Sequence, residues 1–197
     1  MRVLIACESS GRVREAFRAL GHEAYSCDLL PSDDASPYHI QGDVLKELDK
    51  GWDLMIAHPP CTYLCNSGVS HLHTKEGRWE AMREGAKFFK ALWNCDIPLV
   101  CIENPIMHGY AKDLIGCGQQ AQTVQPYWFG HMEQKATCLW LKGLDKLEKT
   151  NDVEEAMRKL PNKDRQRLFH LPPSVDRWKL RSATYKGLAS AMAGQWG

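Results

Sequence analysis

At 197 residues, with 44% hydrophobic and 25% charged side chains, the chain is long enough for one well-cored domain and short for two, so a single domain over 1–197 is expected. A net charge of +1 creates no global basic field that would demand a nucleic acid. No run approaches the roughly 18 apolar residues of a membrane span, and Glu8 ends the first apolar run too soon for a signal peptide, so a cytoplasmic protein with neither membrane contact nor an obligate protein partner is expected.

Arg2 to Cys7 is an apolar, β-rich run, broken by Glu8-Ser9-Ser10-Gly11 before a helix that places Val13, Ala16, Phe17 and Leu20 on one face. His22 to Asp28 makes a second strand ending in a carboxylate, and Leu29 to Tyr38, with Pro31 and Pro37, reads as loop. A short third strand is expected around Ile40 to Asp43, and a fourth from Trp52 to Ala57. Pro59 and Pro60 lack N–H donors and cannot continue it, so Cys61 is presented at the strand's carboxyl end, where open α/β sheets bind ligands. A polar loop runs to about Thr74. From Gly77 to Trp93 the apolar Trp79, Met82, Ala86, Phe89 and Trp93 recur three or four apart, which predicts a helix.

Ile97 to Ile102 is a fifth strand, closed by Glu103-Asn104-Pro105. Gln122 to Phe129 and Thr137 to Leu141 are two more, and their short connection implies an antiparallel pair. Asn151 to Leu160 is a polar helix capped by Asn151 or Asp152, and Thr184 to Gln195 is a closing helix of small apolar residues. The pattern predicts an α/β fold: a doubly wound, mostly parallel sheet with an antiparallel C-terminal hairpin, the usual topology of S-adenosylmethionine-dependent methyltransferases.

Eight cysteines would suit a small secreted disulfide scaffold, but most lie in or beside apolar runs, as buried thiols in a reducing compartment do. Cys61-x3-Cys65 with His71 and His73 has no second cysteine pair and matches no common zinc spacing, so no metal is expected. The loops at the strand ends carry the chemistry. Cys7-Glu8-Ser9-Ser10-Gly11 offers amides and a helix N-terminus to a carboxylate or phosphate. Asp28 suits two ribose hydroxyls or a turn, and Asp43 an adenine amino group or a cap. Glu103 puts a carboxylate directly after a buried strand. A thiolate at Cys61 adding to carbon 6 of cytosine would turn carbon 5 into a nucleophile, with Glu103 as proton donor at ring nitrogen 3. That role requires surroundings that favour thiolate at Cys61 and burial that raises the pKa of Glu103.

These residues resemble the cytosine-5 DNA methyltransferase family. Pro59-Pro60-Cys61 followed by Ser67-Gly68 is similar to its proline-proline-cysteine motif, and Glu103-Asn104-Pro105 to its glutamate-asparagine motif. The resemblance implies S-adenosyl-L-methionine as cofactor, held by Cys7, Glu8, Ser9, Ser10, Gly11, Asp28, Asp43 and Pro59, and by Ser182 and Thr184 before the closing helix. It implies catalysis by Cys61 and Glu103, with Lys135 in Gln134-Lys135-Ala136-Thr137 where the family places an arginine-rich clamp, and contact of Ser67 with DNA. Arg12 and Arg14, on a helix face taken as exposed, raise carboxy-S-adenosyl-L-methionine as an alternative donor carrying an extra carboxylate.

Only Gly143 to Leu180 lies where the family carries a sizeable recognition region, so 143–180 reads as a reduced one. Arg165, Arg167, Arg177, Trp178, Lys179 and Arg181 mix basic charge with an aromatic ring and suit either a nucleic-acid strand or a solvated charged loop. Base flipping or a single-stranded substrate, with little sequence specificity, should follow. The same chemistry on RNA or a free nucleotide, and a non-catalytic nucleic-acid-binding relative, remain the alternatives.

Overall fold

Leu54-Met-Ile-Ala57 is apolar at every position because it forms β4, in the middle of the sheet and covered on both faces. The computed structural model describes residues 1–66 and 71–197. Its seven strands are β1 (Arg2–Ala6), β2 (Glu23–Asp28), β3 (His39–Gln41), β4 (Leu54–Ala57), β5 (Leu99–Asn104), β6 (Gln122–Val124) and β7 (Thr137–Lys142), in spatial order β3-β2-β1-β4-β5-β7-β6. The first five are mutually parallel, and β7 runs antiparallel to both neighbours. The order reverses between β1 and β4, which opens a crevice at their carboxyl ends.

Helices α1 (Arg12–Ala19) and α7 (Lys186–Trp196) cover one face, packing Val13, Phe17, Leu188 and Met192 against Val3, Ile5 and Ile56. On the other, α2 (Arg78–Trp93) and α3 (Gly109–Ile115) bring Met82, Phe89, Ala111 and Ile115 against Leu4, Met55 and Trp140. Each such fully buried Leu, Phe or Met contributes about 1.5–3 kcal/mol by leaving water. Short helices α4 (Glu154–Arg158), α5 (Asn162–Arg165) and α6 (Arg177–Ser182) punctuate the segment between β7 and α7.

The departures from the sequence reading are local. Leu20 is exposed because α1 stops at Ala19. Trp52 lies before β4, its indole donating to the Glu47 carbonyl at 2.7 Å. The polar helix shrinks to Glu154–Arg158, with Asp152 accepting the Glu154 amide at 2.9 Å. Glu103 and Asn104 belong to β5 itself, opposite Leu139 and Cys138, since the antiparallel partner extends the ladder past the apolar run. None of the eight cysteines forms a disulfide.

Candidate active site

Strand register assembles the site. Ala6 pairs with Cys27 and with Ala57, and Ala57 with Ile102, so the next residues, Cys7, Asp28, His58 and Glu103, form a row along the carboxyl edge. All four line a cavity of about 750 Å³, within the range of about 300–1,000 Å³ usual for ligand sites. Cys61 follows from the Pro59-Pro60 turn, Lys135 from the segment before β7, and Ser182 and Thr184 from the approach to α7; all line the same cavity. The three residues expected to act in catalysis, Cys61, Glu103 and Lys135, are thus brought together.

Their electrostatics differ from expectation. A hydrogen bond with Cys65 and burial, with Glu103 adding, push the Cys61 thiol far up, so it is protonated in this state. Burial pushes the Glu103 carboxyl up, but the hydrogen bond and charge of His58, then Lys135 and Thr184, outweigh burial and hold it below the usual range. His58 Nδ1 lies 2.8 Å from Glu103 Oε2, with 13% and 11% of the two side chains exposed. Burial pushes His58 down, yet Glu103 and, more weakly, Glu8 carry it above its ordinary value. The thiolate-favouring surroundings and the raised carboxyl expected from sequence are therefore absent from this state: a thiol neighbour and a histidine decide both.

The loop after β1 also works differently. Glu8 is buried at 5% exposure, and its carboxylate accepts the amides of Val13 at 2.8 Å and Arg14 at 3.2 Å and the Ser10 hydroxyl at 3.1 Å. The start of α1, expected to receive a ligand's carboxylate, is filled by the protein's own acid. Gly11 serves the backbone: its φ is 68°, and a Cβ there would sit 2.2 Å from the Arg14 guanidinium. Cys7 holds a left-handed φ of 59°, a strain of about 1–3 kcal/mol, pinned by its amide's 2.7 Å bond to the Cys27 carbonyl. Cys7, Glu8, Ser9 and Ser10 line the cavity, whereas Asp43 caps a 3₁₀ turn by accepting the Leu45 amide at 3.0 Å.

Arg14 is not on an exposed face. It is fully buried and donates to Ser26, Glu15 and Asp34, while Arg12 donates to the Thr184 carbonyl at 2.9 Å. Arg14 is thus spent within the fold, whereas Arg12 is exposed and uses one N–H on that carbonyl.

The basic segment divides. Trp178, Lys179 and Arg181 line the cavity, with Trp178 56% exposed. Lys179 also pairs with Asp33 at 2.7 Å, bridging α6 to the loop after β2. Arg167 is held by Glu133 at 2.9 Å and Arg177 by the carbonyls of Leu171 and Phe169, so these two brace the segment, while Arg165 turns a buried Nε inward. Phe169, 68% exposed, also lines the cavity. Ser67 and Gly68 lie outside the described residues. Sequence reasoning missed His58, although a polar residue immediately after four apolar strand residues is the signal by which Glu103 was found. No His, Cys, Asp or Glu cluster able to hold a metal ion occurs among the described residues, and no helix among them is long and apolar enough to cross a membrane.

No protein-family model and no curated protein matches the chain. Among solved structures it is similar to the methyltransferase EhMeth of Entamoeba histolytica, at a TM-score of 0.51 and 12% identity over 78% of this chain and 57% of that one. The fold is that of a methyltransferase. An E. coli protein described as a DNA modification methyltransferase encoded within a prophage matches at 0.45 and 16% identity, over 82% of this chain and 56% of that one. The Schizosaccharomyces pombe Dnmt2 methyltransferase matches at 0.46 and 15%, over 83% and 56%. This methyltransferase-fold chain spans a little over half the length of each, and at these identities the likeness is one of fold.

Proposed function

We propose that the protein transfers a methyl group from S-adenosyl-L-methionine to carbon 5 of cytosine in DNA. The observation that carries the reading is the convergence of the Cys61 thiol and the Glu103 carboxyl, from adjacent strand ends, on one cavity. A thiol and an acid facing one ring match what carbon 5 needs: addition at carbon 6 and a proton at nitrogen 3.

The donor's chemistry fits the end of the cavity at Asp28, whose carboxylate suits a cationic sulfonium nucleoside and keeps one oxygen beyond the one that accepts the Leu30 amide. Asp28 would hold the ribose, and Ser182 the amino-acid end. The group supplies an electrophilic methyl when bound. Cys61 is protonated in this state and must lose its proton before it attacks; Glu103 and Lys135 line the same cavity and would face the ring, with Pro59 and Pro60 beside it.

For the strand, exposed Phe169 and Trp178 beside Lys179 and Arg181 supply ring faces and positive charge, which suits unstacked bases with little sequence preference. Residues 143–180 act as the reduced recognition segment of a single domain.

The test is incubation with donor and DNA containing 5-fluorocytosine, followed by denaturing electrophoresis and peptide mapping. Fluorine blocks the elimination step, so a covalent adduct at Cys61 is expected. No adduct with DNA, or one that survives Cys61→Ala, would overturn the reading, and an adduct with RNA alone would reassign the substrate.

A further inference from the structure

The reaction above leaves His58 without a task. Its backbone is fixed between the buried run Leu54–Ala57 and two prolines, and its amide donates to the Ala6 carbonyl at 2.9 Å. Nδ1 bonds to Glu103 at 2.8 Å, while Nε2 is buried and has no hydrogen-bond partner among the described residues. An orphaned buried polar atom costs about 1–3 kcal/mol, so packing alone would favour an apolar residue here. The imidazole is instead held against the one carboxyl that must handle a proton.

Glu103 faces a conflict. Serving nitrogen 3 requires a proton, yet its neighbours hold it ionised. Glu8 reaches the pair from the loop after β1, Lys135 from the segment before β7 and Thr184 from the approach to α7, while Cys61 and Cys101 feel the Glu103 charge. Within this cluster the pair carries a single proton, and at rest that proton sits on the imidazole.

We propose that His58 is a positioning residue that stores the proton which Glu103 delivers to ring nitrogen 3. The proposal rests on the cytosine reading of the site. The Cys61 thiol gives its proton to water; as the thiolate's electron pair forms the bond to carbon 6, the C5=C6 pair moves to C4–C5 and the C4=N3 pair moves onto nitrogen 3, which takes a proton from Glu103. Glu103 takes the Nδ1 proton of His58, leaving a neutral imidazole. Carbon 5 then takes the methyl group, the pair of the broken S–CH3 bond staying on the donor's sulfur; when carbon 5 next loses its hydrogen as a proton to water and the C6–S pair returns to Cys61, nitrogen 3 returns its proton through Glu103 to His58. No oxidant or further reactant is required.

Two measurements test this. In 15N-histidine NMR of the full chain, His58 should remain protonated above the ordinary histidine range and return toward it in Glu103→Gln; a His58 that titrates ordinarily in both overturns the stored proton. In single-turnover adduct formation on 5-fluorocytosine DNA, His58→Asn keeps a donor near the Nδ1 position but cannot pass its proton on. Its rate should fall about 100-fold at neutral pH and recover toward acid, where burial lets Glu103 hold the proton itself. His58→Gln serves as a second variant should Asn perturb folding. An unchanged rate, or an equal loss at every pH, overturns the relay alone. Absence of any wild-type adduct overturns the cytosine reading and the relay with it.

Discussion

Glu8 Oε1 accepts the backbone amide of Val13, five residues on, at 2.8 Å, so α1 is capped by an acid from its own approach loop. Because Glu8 is buried, removing it leaves helix-terminal donors without water or partner. Glu8→Ala should lower unfolding free energy by about 1–3 kcal/mol in denaturant titration, and Glu8→Gln, which keeps an acceptor, by less. Equal losses in the two variants would show that charge rather than capping matters.

The His58–Glu103 pair ties stability to pH from both sides. Glu103 is held below its unfolded value, so its contribution is present above the unfolded carboxyl pKa and lost as pH falls through the folded one. His58 is held above its unfolded value, so its contribution is full below the unfolded pKa and lost as pH rises through the folded one. Glu103→Ala should therefore cost most between the two, about 3–5 kcal/mol for breaking a buried pair, with the deficit narrowing toward acid and toward alkali. Urea melts across pH check this; a deficit that does not vary with pH contradicts it.

Much of this arrangement was legible from residue order, and the reason is register. The runs up to Ala57 and Ile102 announce themselves as apolar, β2 by its β-rich residues up to Cys27, and a parallel sheet lines up whatever polar residue comes next. What stayed illegible depends on which polar group meets which. Glu8 reads as a loop residue until its side chain is seen turning back onto α1, and Arg14 reads as a surface charge until Asp34 and Ser26 enclose it. Contacts between residues far apart in the chain, such as Lys179 with Asp33, leave no local periodicity to read.

Cys65 is placed to hold Cys61 as a thiol. Its hydrogen bond is the largest influence raising the Cys61 pKa, ahead of burial, and a raised pKa lowers the thiolate fraction. Cys65→Ala should speed alkylation of Cys61 at neutral pH by at least about tenfold, one pKa unit's worth, as followed by iodoacetamide labelling and peptide mass mapping. An unaltered labelling rate would assign the raised pKa to burial alone.

Gly187 lets α7 approach the turn at Phe129. A Cβ there would fall 1.9 Å from the Phe129 carbonyl oxygen, backbone that cannot swing aside, and the Gly187 amide donates to His131 Nε2 at 3.0 Å. Gly187→Ala should destabilise the fold by about 1–3 kcal/mol through overpacking and displace Thr184 from the cavity. Thermal melts read the first effect and donor affinity the second; wild-type values for both would remove the steric argument.

Trp178 and Phe169 present ring faces at the cavity while Arg167 and Arg177 are spent on bracing their segment, so stacking rather than a dense phosphate clamp should dominate strand binding. Each aromatic-to-alanine change should cost about 1–3 kcal/mol of affinity for a single-stranded cytosine oligonucleotide. Duplex keeps its bases stacked on one another and offers these rings nothing until a base is extruded, so its affinity should change less. Because few basic side chains remain for phosphates, the salt dependence should also be shallow. Fluorescence anisotropy with matched single- and double-stranded probes over a salt series decides this. Equal losses on both probes, or a steep salt slope, would mean that the rings only shape the segment and that charge holds the strand.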